Sequence, residues 1–442
     1  MREMKDSGIA WIGEIPSDWE IRRIKTLPIH DDPNAFVDGD WIESPFITDE
    51  GIRYLTTGNV GDGKYKEQGS GYISEETFEK LNCKFAYPGD FVISRLNAPY
   101  GRACILPNIK ERYVLAVDVV ILRTDENKRY LCYLSQCTGY QRSVEDMARG
   151  TAMKRISRTN LGTIQLPIPS LHEQNIIADL LDEKCSQVDA LISNVQTQIE
   201  RLKSYKQSLI TEVVTKGLDS SAPMRDSEVE WIGVIPEHWG IAKLQYCSDI
   251  RSGITLGKNH PAGTILVERP YLRVANVQSG GVVLDNLKTI NVTAEEDVQY
   301  RLSAGEVLMT EGGDRDKLGR GCVWEGQVDP CLHQNHIFAL QTNNLLNPYF
   351  LSYVTASAVG RVYFDITAIK TTNLACTNSS KVMAFKLPLP TVDEQERIVS
   401  FLNAKCGNID QLIAIKQKKI DKLNEYKKSL IYEYVTGKRE VV

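Results

Sequence analysis

Trp11-Ile-Gly-Glu-Ile-Pro16-Ser-Asp-Trp19 returns later in the same chain as Trp231-Ile-Gly-Val-Ile-Pro236-Glu-His-Trp239, a shift of 220 residues. The match extends outward from there. Leu166-Pro-Ile-Pro169 returns as Leu387-Pro-Leu-Pro390, Glu173-Gln174 as Glu394-Gln395, and Lys184-Cys185 as Lys405-Cys406, each at a shift of 221. Tyr205-Lys206-x-Ser208-Leu-Ile210 returns as Tyr426-Lys427-x-Ser429-Leu-Ile431 at the same shift. An offset held within one residue at both ends of a half means two copies of one unit. The 442-residue chain is an internal duplication.

Ser170-Leu-His-Glu173 and Thr391-Val-Asp-Glu394 are S/T-x-x-E capping boxes, each directly after a proline that cannot sit deep in a helix. The spacing predicts one helix from about Leu171 to Thr215, stopped at Gly217, and a second from about Val392 to Val435, stopped at Gly437. Inside them the apolar spacing alternates four and three. The first copy reads Leu181, Cys185, Val188, Ile192, Val195, Ile199, Leu202, Leu209 and Val213; the second reads Leu402, Cys406, Ile409, Ile413, Ile420, Leu423, Leu430 and Tyr434. This is an a/d heptad seam. Lys206, Lys416 and Lys427 interrupt it, so looser packing or outward-snorkelling stems are expected there. The simplest closed arrangement pairs the two helices antiparallel about a pseudo-twofold axis. Each, at ~45 residues and 1.5 Å per residue, spans about 65 Å.

Between the matched ends the copies diverge. Residues 30–155 and 250–375 share only a skeleton: Tyr54-Leu-Thr-Thr-Gly-Asn59 faces Tyr271-Leu-Arg-Val-Ala-Asn276, Pro88-Gly-Asp90 faces Ala304-Gly-Glu306, and Gly101-Arg102-Ala-Cys104 faces Gly319-Arg320-Gly-Cys322. Phe91–Ser94, Val117–Leu122, Glu306–Thr310 and His336–Leu340 read as strands, Tyr130–Thr138 and Pro348–Val362 as helices. The expected fold class is α/β (α+β): two copies of a globular domain joined by two long antiparallel coiled-coil helices. The expected division is 1–169, first globular domain; 170–217, first long helix; 218–390, second globular domain; 391–442, second long helix. A closely repeated scaffold with divergent inserts suggests constant machinery carrying two readers of different things.

Composition narrows the class. Hydrophobic residues make up 42% and charged residues 25%, as in a globular chain. No apolar run is long enough to span a membrane, and Met1-Arg-Glu-Met-Lys-Asp6 opens no secretory signal, so a cytoplasmic chain is expected. Ten cysteines without a CxxC pair read as reduced, mostly buried thiols. Cys331-Leu-His333-Gln-Asn-His336 crowds three potential ligands on one short strand without the second ligand cluster that zinc requires, so no metal site is expected. The net charge of −5 argues mildly against nucleic acid, but local charge matters more. Arg142, Arg149, Lys154, Arg155 and Arg158 stand against only Glu145 and Asp146 within residues 142–158.

Three catalytic look-alikes fail on inspection. Gly58-x-x-x-x-Gly63-Lys64 has Tyr65 where a phosphate-binding loop needs Ser or Thr for magnesium. Asn97-Ala-Pro-Tyr100 approaches the Asn-Pro-Pro-Tyr loop of adenine-N6 methyltransferases, without a glycine-rich cofactor turn upstream. Glu425-Tyr-Lys427 has the acid-x-lysine spacing of some nucleases but lies mid-helix. No catalytic residue is assigned. What remains suits base reading, because Arg, Asn, Gln and His on loops supply the bidentate forks that tell guanine from adenine. The base-reading candidates are Arg95, Asn97 and Arg102 in the first insert, and Arg315, Lys317, Arg320, His333, Gln334 and Asn335 in the second; Arg149, Lys154, Arg155 and Arg158 are placed to meet phosphates.

The Trp-Ile-Gly-x-Ile-Pro-x-x-Trp openings, the Leu-Pro-x-Pro…Glu-Gln helix entries and the paired coiled-coil helices resemble the specificity subunits of type I restriction–modification enzymes. Glu311–Arg320 with His333-Gln-Asn-His336 in the second insert, and Asp38-Gly-Asp-Trp-Ile-Glu43 with Gly58-Asn59 in the first, add to the resemblance. It implies two target-recognition domains, each reading one half of a bipartite double-stranded DNA site. It implies that the helices set the spacer and dock two methyltransferase subunits, with motor-nuclease subunits joining for cleavage. S-adenosylmethionine, ATP and magnesium then belong to the partners, and this chain binds no cofactor. The competing expectation is a self-contained DNA methyltransferase or nuclease with an unrecognised site.

Overall fold

The computed structural model describes residues 2–69, 71–150, 153–278, 280–313, 318–319, 321–370 and 375–441. The chain divides into two units, Met1–Val195 with Lys418–Val442, and Gln196–Gln417. Each takes in one stretch of both long helices, which run over Leu171–Lys216 and Val392–Val435. No helix among the described residues is long and apolar enough to cross a membrane.

The ends of these helices explain most of the repeated motifs. At the second entry the capping box is complete: Glu394 N–H donates to Thr391 Oγ1 (3.4 Å) and Thr391 N–H to Glu394 Oε2 (3.3 Å). At the first entry the Ser170 half forms, Glu173 N–H to Oγ at 3.2 Å, while the Glu173 carboxylate accepts from Arg2 and from Trp19 Nε1 (3.0 Å). The repeated glutamines are fully buried clasps. Gln174 donates to Pro169 O (3.0 Å) and accepts from Asn127 N–H (2.8 Å); Gln395 donates to Pro390 O (2.9 Å) and accepts from Asn347 N–H (2.7 Å). At the exits, Gly217 and Gly437 take positive φ (74° and 68°) and lie against the tryptophan motifs. A Cβ would come within 3.1 Å of Trp239 at Gly217 and 2.3 Å of Pro16 at Gly437. Thus Trp11–Trp19 seats the end of the second helix and Trp231–Trp239 the end of the first.

Within each unit the helix stretches pack antiparallel. Leu181 and Cys185 share a core with Leu430, Ile431 and Tyr434 in the first unit; Ile210 and Val213 share one with Leu402 and Cys406 in the second. The lysines that break the heptad pattern are paired rather than loose. Lys427 Nζ lies 2.6 Å from Asp189, Lys206 Nζ 2.6 Å from Asp410, and Lys416 Nζ 2.5 Å from Gln198. Lys206 and Lys427 are repeat equivalents, and so are Asp189 and Asp410. The same ion pair therefore occurs once per unit with the two helices exchanged.

Each lobe carries two small sheets with the same strand logic. In the first lobe Phe36–Asp38, Val119–Leu122, Phe91–Ser94 and Ala103–Ile105 form one antiparallel sheet; in the second Ser248–Ser252, Ile337–Thr342, Val307–Thr310 and Gly321–Val323 repeat it in that order. The companion sheet holds a parallel pair, Ile52–Leu55 with Tyr113–Leu115, and Val267–Leu272 with Leu332–His333. The skeleton shared by the inserts is hydrogen-bonded identically. Asn59 Oδ1 accepts Thr56 N–H and Asn276 Oδ1 accepts Arg273 N–H, both at 2.9 Å, and both side chains are buried.

Two expected helices differ from the structure. The first covers Lys128–Ser135 and is followed by a separate helix, Thr138–Asp146; the second breaks into Pro348–Ala356 and Ala358–Thr367. At the second break Ser357 is extended (ψ 176°), its hydroxyl accepting Val359 N–H at 3.1 Å, so a new N-cap outcompetes continuation.

Candidate nucleic-acid interface

In the first lobe three parts of the chain converge: the end of strand Phe36–Asp38, the turn after Phe91–Ser94, and residues 149–150 with 153–158. Arg95 N–H donates to Asp118 O (2.9 Å) and Ile156 N–H to Arg95 O (3.1 Å). Arg149 and Arg155 exchange two backbone bonds at 2.9 Å, and Leu96 bridges Arg155. Most of the expected first-lobe residues are thereby brought together.

They divide by burial. Arg95 is only 3% exposed: its guanidinium donates to Ile156 O (3.1 Å) and Val117 O (2.6 Å) and lies 2.8 Å from Asp38. Burial pulls its pKa down against the pull of Asp38 and Asp118. Arg102 donates to the carbonyls of Val60 (2.6 Å), Thr57 (2.8 Å) and Asn97 (2.9 Å), binding two loops to its own turn. Arg95 is shut away by burial and the Arg102 nitrogens are taken up by loop carbonyls, so both are read as positioning residues rather than base contacts. Asn97, at φ 62°, Arg149 and Lys154 are exposed, Lys154 lying 3.4 Å from Glu145. Arg155 and Arg158 retain 44% and 40% exposure while braced by Asp118 (2.6 Å) and Asp38 (3.5 Å). These form the outward basic edge.

The second lobe repeats the frame with other side chains. Glu311 N–H donates to His336 O (2.9 Å) and Thr377 N–H to Glu311 O (2.7 Å), matching Arg95–Asp118 and Ile156–Arg95 bond for bond. Register then pairs Arg95 with Glu311, Asp118 with His336, Asp38 with Ser252 and Arg155 with Cys376. In place of a buried arginine network stands a half-exposed pair, His336 Nδ1 to Glu311 Oε2 at 2.7 Å. Arg315, Lys317 and Arg320 lie outside the described residues. His333 is corrected. It is fully buried, its Nδ1 donates to Tyr300 O at 3.1 Å, and burial pushes its pKa down to about 4. Gln334 and Asn335 remain half-exposed, their backbone N–H groups held by Leu272 O and Ile254 O at 2.9 Å. Cys331, His333 and His336 face three different partners.

A groove lies where each lobe meets its helix stretches, about 470 Å³ in the first unit and 550 Å³ in the second. Repeat-equivalent residues line both: Tyr133 and Tyr353, Cys185 and Cys406, Asp189 and Asp410.

Residues 16–202 match the family described as type I restriction modification DNA specificity domain. The putative type I restriction enzyme MjaX specificity subunit of Methanocaldococcus jannaschii is 27% identical across 97% of this chain and 96% of its own length. The chain is thus similar to type I specificity subunits over nearly its whole length. The EcoKI specificity subunit of Escherichia coli is 23% identical over 61% of this chain and 56% of its own length. Among solved structures, a chain of a type I R-M system matches with TM-score 0.70 at 15% identity, covering 96% of this chain and 99% of the other. The HsdS subunit from Thermoanaerobacter tengcongensis matches with TM-score 0.50 at 14% identity, covering 96% and 98%. At these identities the structural likeness bears on fold alone. Sequence reasoning quotes Asp38, Glu311 and His336 within motifs without assigning them to the site, and misses Asp118; these are the partners that orient or replace the arginines. The aligned Gly101-Arg102 and Gly319-Arg320 motifs locate their loops, but nothing local marks the acids.

Proposed function

We propose that this chain is the DNA-specificity subunit of a type I restriction–modification enzyme, working in the cytoplasm. Each lobe reads one half of a bipartite duplex site. The helices set the spacing and dock two methyltransferase subunits, and motor-nuclease subunits join for cleavage. The chain's own part is recognition; S-adenosylmethionine, ATP and magnesium are assigned to the partners. The observation that carries this reading is the repeated backbone frame holding Arg95–Asp118 in one lobe and Glu311–His336 in the other. One frame with two unlike side-chain sets is what reading two unlike sequences requires. The repeated grooves support two copies of one partner, since a surface duplicated with the chain offers the same contacts twice.

The test replaces residues 218–390 with the corresponding segment of another family member and maps adenine methylation across the genome of cells carrying the whole system. The first half-site is expected to persist while the second changes completely. Change in both halves, or in neither, overturns the assignment of one lobe to each half.

A further inference from the structure

We propose that Trp41 is a DNA-contacting residue of the first lobe, packing its indole against the base edges of the first half-site. This rests on the specificity-subunit reading above. Trp41 is 70% exposed, whereas Trp19, Trp239 and Trp324 are at most 2% exposed and Trp11 and Trp231 are half-buried. An indole offers a large apolar face with one N–H donor, a combination that carries binding energy where it is buried at an interface.

The indole is not on a loose loop. Gly39 passes so close over the neighbouring strand that a Cβ would lie 2.3 Å from Ala116 O. Asp40 N–H donates to Leu115 O (2.7 Å), and the Asp40 carboxylate accepts from Lys84 N–H (2.7 Å) and Nζ (3.1 Å). Ile42 on the far side is buried. Trp41 is thus fixed between an anchored residue and a core residue.

What surrounds it selects the partner. Asp38, three residues earlier, holds Arg158, and Asp118, two residues beyond the Ala116 that bridges Asp40, holds Arg155. Three extended residues span about 10 Å, comparable with the roughly 12 Å width of the major groove. Guanidinium heads and indole can therefore engage one stretch of duplex, the arginines taking phosphates and the indole taking base edges such as a thymine methyl. In the second lobe the register position of Trp41 is held by Thr255, so the indole is particular to the first lobe.

The experiment uses the full chain labelled with 5-fluorotryptophan and assembled with unlabelled methyltransferase subunits, with the Trp41 fluorine resonance assigned through Trp41→Phe. The H2O/D2O isotope shift of that resonance is expected to persist on assembly and vanish when cognate duplex binds. Trp41→Ala should weaken cognate binding about tenfold, while Trp41→Phe keeps most of it. Loss of the isotope shift on assembly alone assigns the indole to a protein interface and overturns the proposal. So does specific DNA binding with a still-accessible Trp41. An assembly that binds no duplex sequence-specifically overturns the functional reading as well, so the two failures are distinct.

Discussion

At the same point on two matching frames, the first lobe buries Arg95 among Asp38, Asp118 and two carbonyls, while the second sets Glu311 against His336 near the surface. Because the backbone bonds are the same, the frame does not depend on which pair occupies it, and the charge order can even reverse. The energetic consequences differ. An exposed pair contributes about 0–1 kcal/mol, so its residues are free to be chosen for another purpose. Removing the buried Arg95 leaves the carbonyls of Ile156 and Val117 without its hydrogen bonds, and Asp38 and Asp118 with only the half-exposed Arg158 and Arg155. The first lobe ties its loops down with a buried charge; at the same point the second has the more exposed Glu311–His336 pair.

The sharpest way to break that contrast is to remove each pair. Arg95→Ala is expected to cost the first lobe about 2–4 kcal/mol, chiefly through the carbonyls it leaves unpaired, and Glu311→Ala less than about 1 kcal/mol in the second. Amide hydrogen exchange of strands Phe91–Ser94 and Val307–Thr310 reads each lobe separately, which a single melting curve for a two-unit chain does not. Equal losses would abolish the distinction.

A smaller effect sharpens it through pH. His333 occupies the register position of Leu115, and burial lowers its pKa from 6.5 to about 4. The folded ring stays neutral while the unfolded chain takes up a proton below about 6.5. Stability is therefore full above that pH and declines as pH falls toward 4. At pH 5 the loss is about 2 kcal/mol, confined to the second lobe, and His333→Leu should remove it. A decline that survives that substitution belongs to other groups.

The least effect is expected in the helices, where the two units are most alike. Lys427–Asp189 has side-chain exposures of 18% and 39%, Lys206–Asp410 of 30% and 57%. Burial raises the Asp189 pKa, but Lys427 and Lys64 hold it below the usual carboxylate range on balance. Double-mutant cycles should give a coupling of about 1 kcal/mol for the first pair and roughly half that for the second. A larger value for the more exposed pair would contradict the burial argument.

The legible parts of the molecule were those written in local pattern. Capping boxes, glycine stops and the alternating four-and-three spacing place both long helices to within a residue or two, because each signal lies within a turn of what it controls. The same alternation carries the lysines, but not their fate: Lys427 is satisfied by Asp189, 238 positions away. Helix breaks at Ser357 and Cys137 were illegible because a side-chain cap and a buried turn compete with propensity on nearly equal terms.

The candidate interface divides along the same line. Sequence alone determined that the chain is duplicated, where its struts begin and end, and which loops vary between the copies, since repetition and periodicity are properties of the string. Only the tertiary structure decided which polar residues face outward. Arg95 is closed in by Ile156, His333 by Tyr300, and Trp41 is left open beside Asp38 and Asp118. Burial is set by what distant segments bring to a residue's side, and no stretch of sequence short enough to show a motif contains those segments.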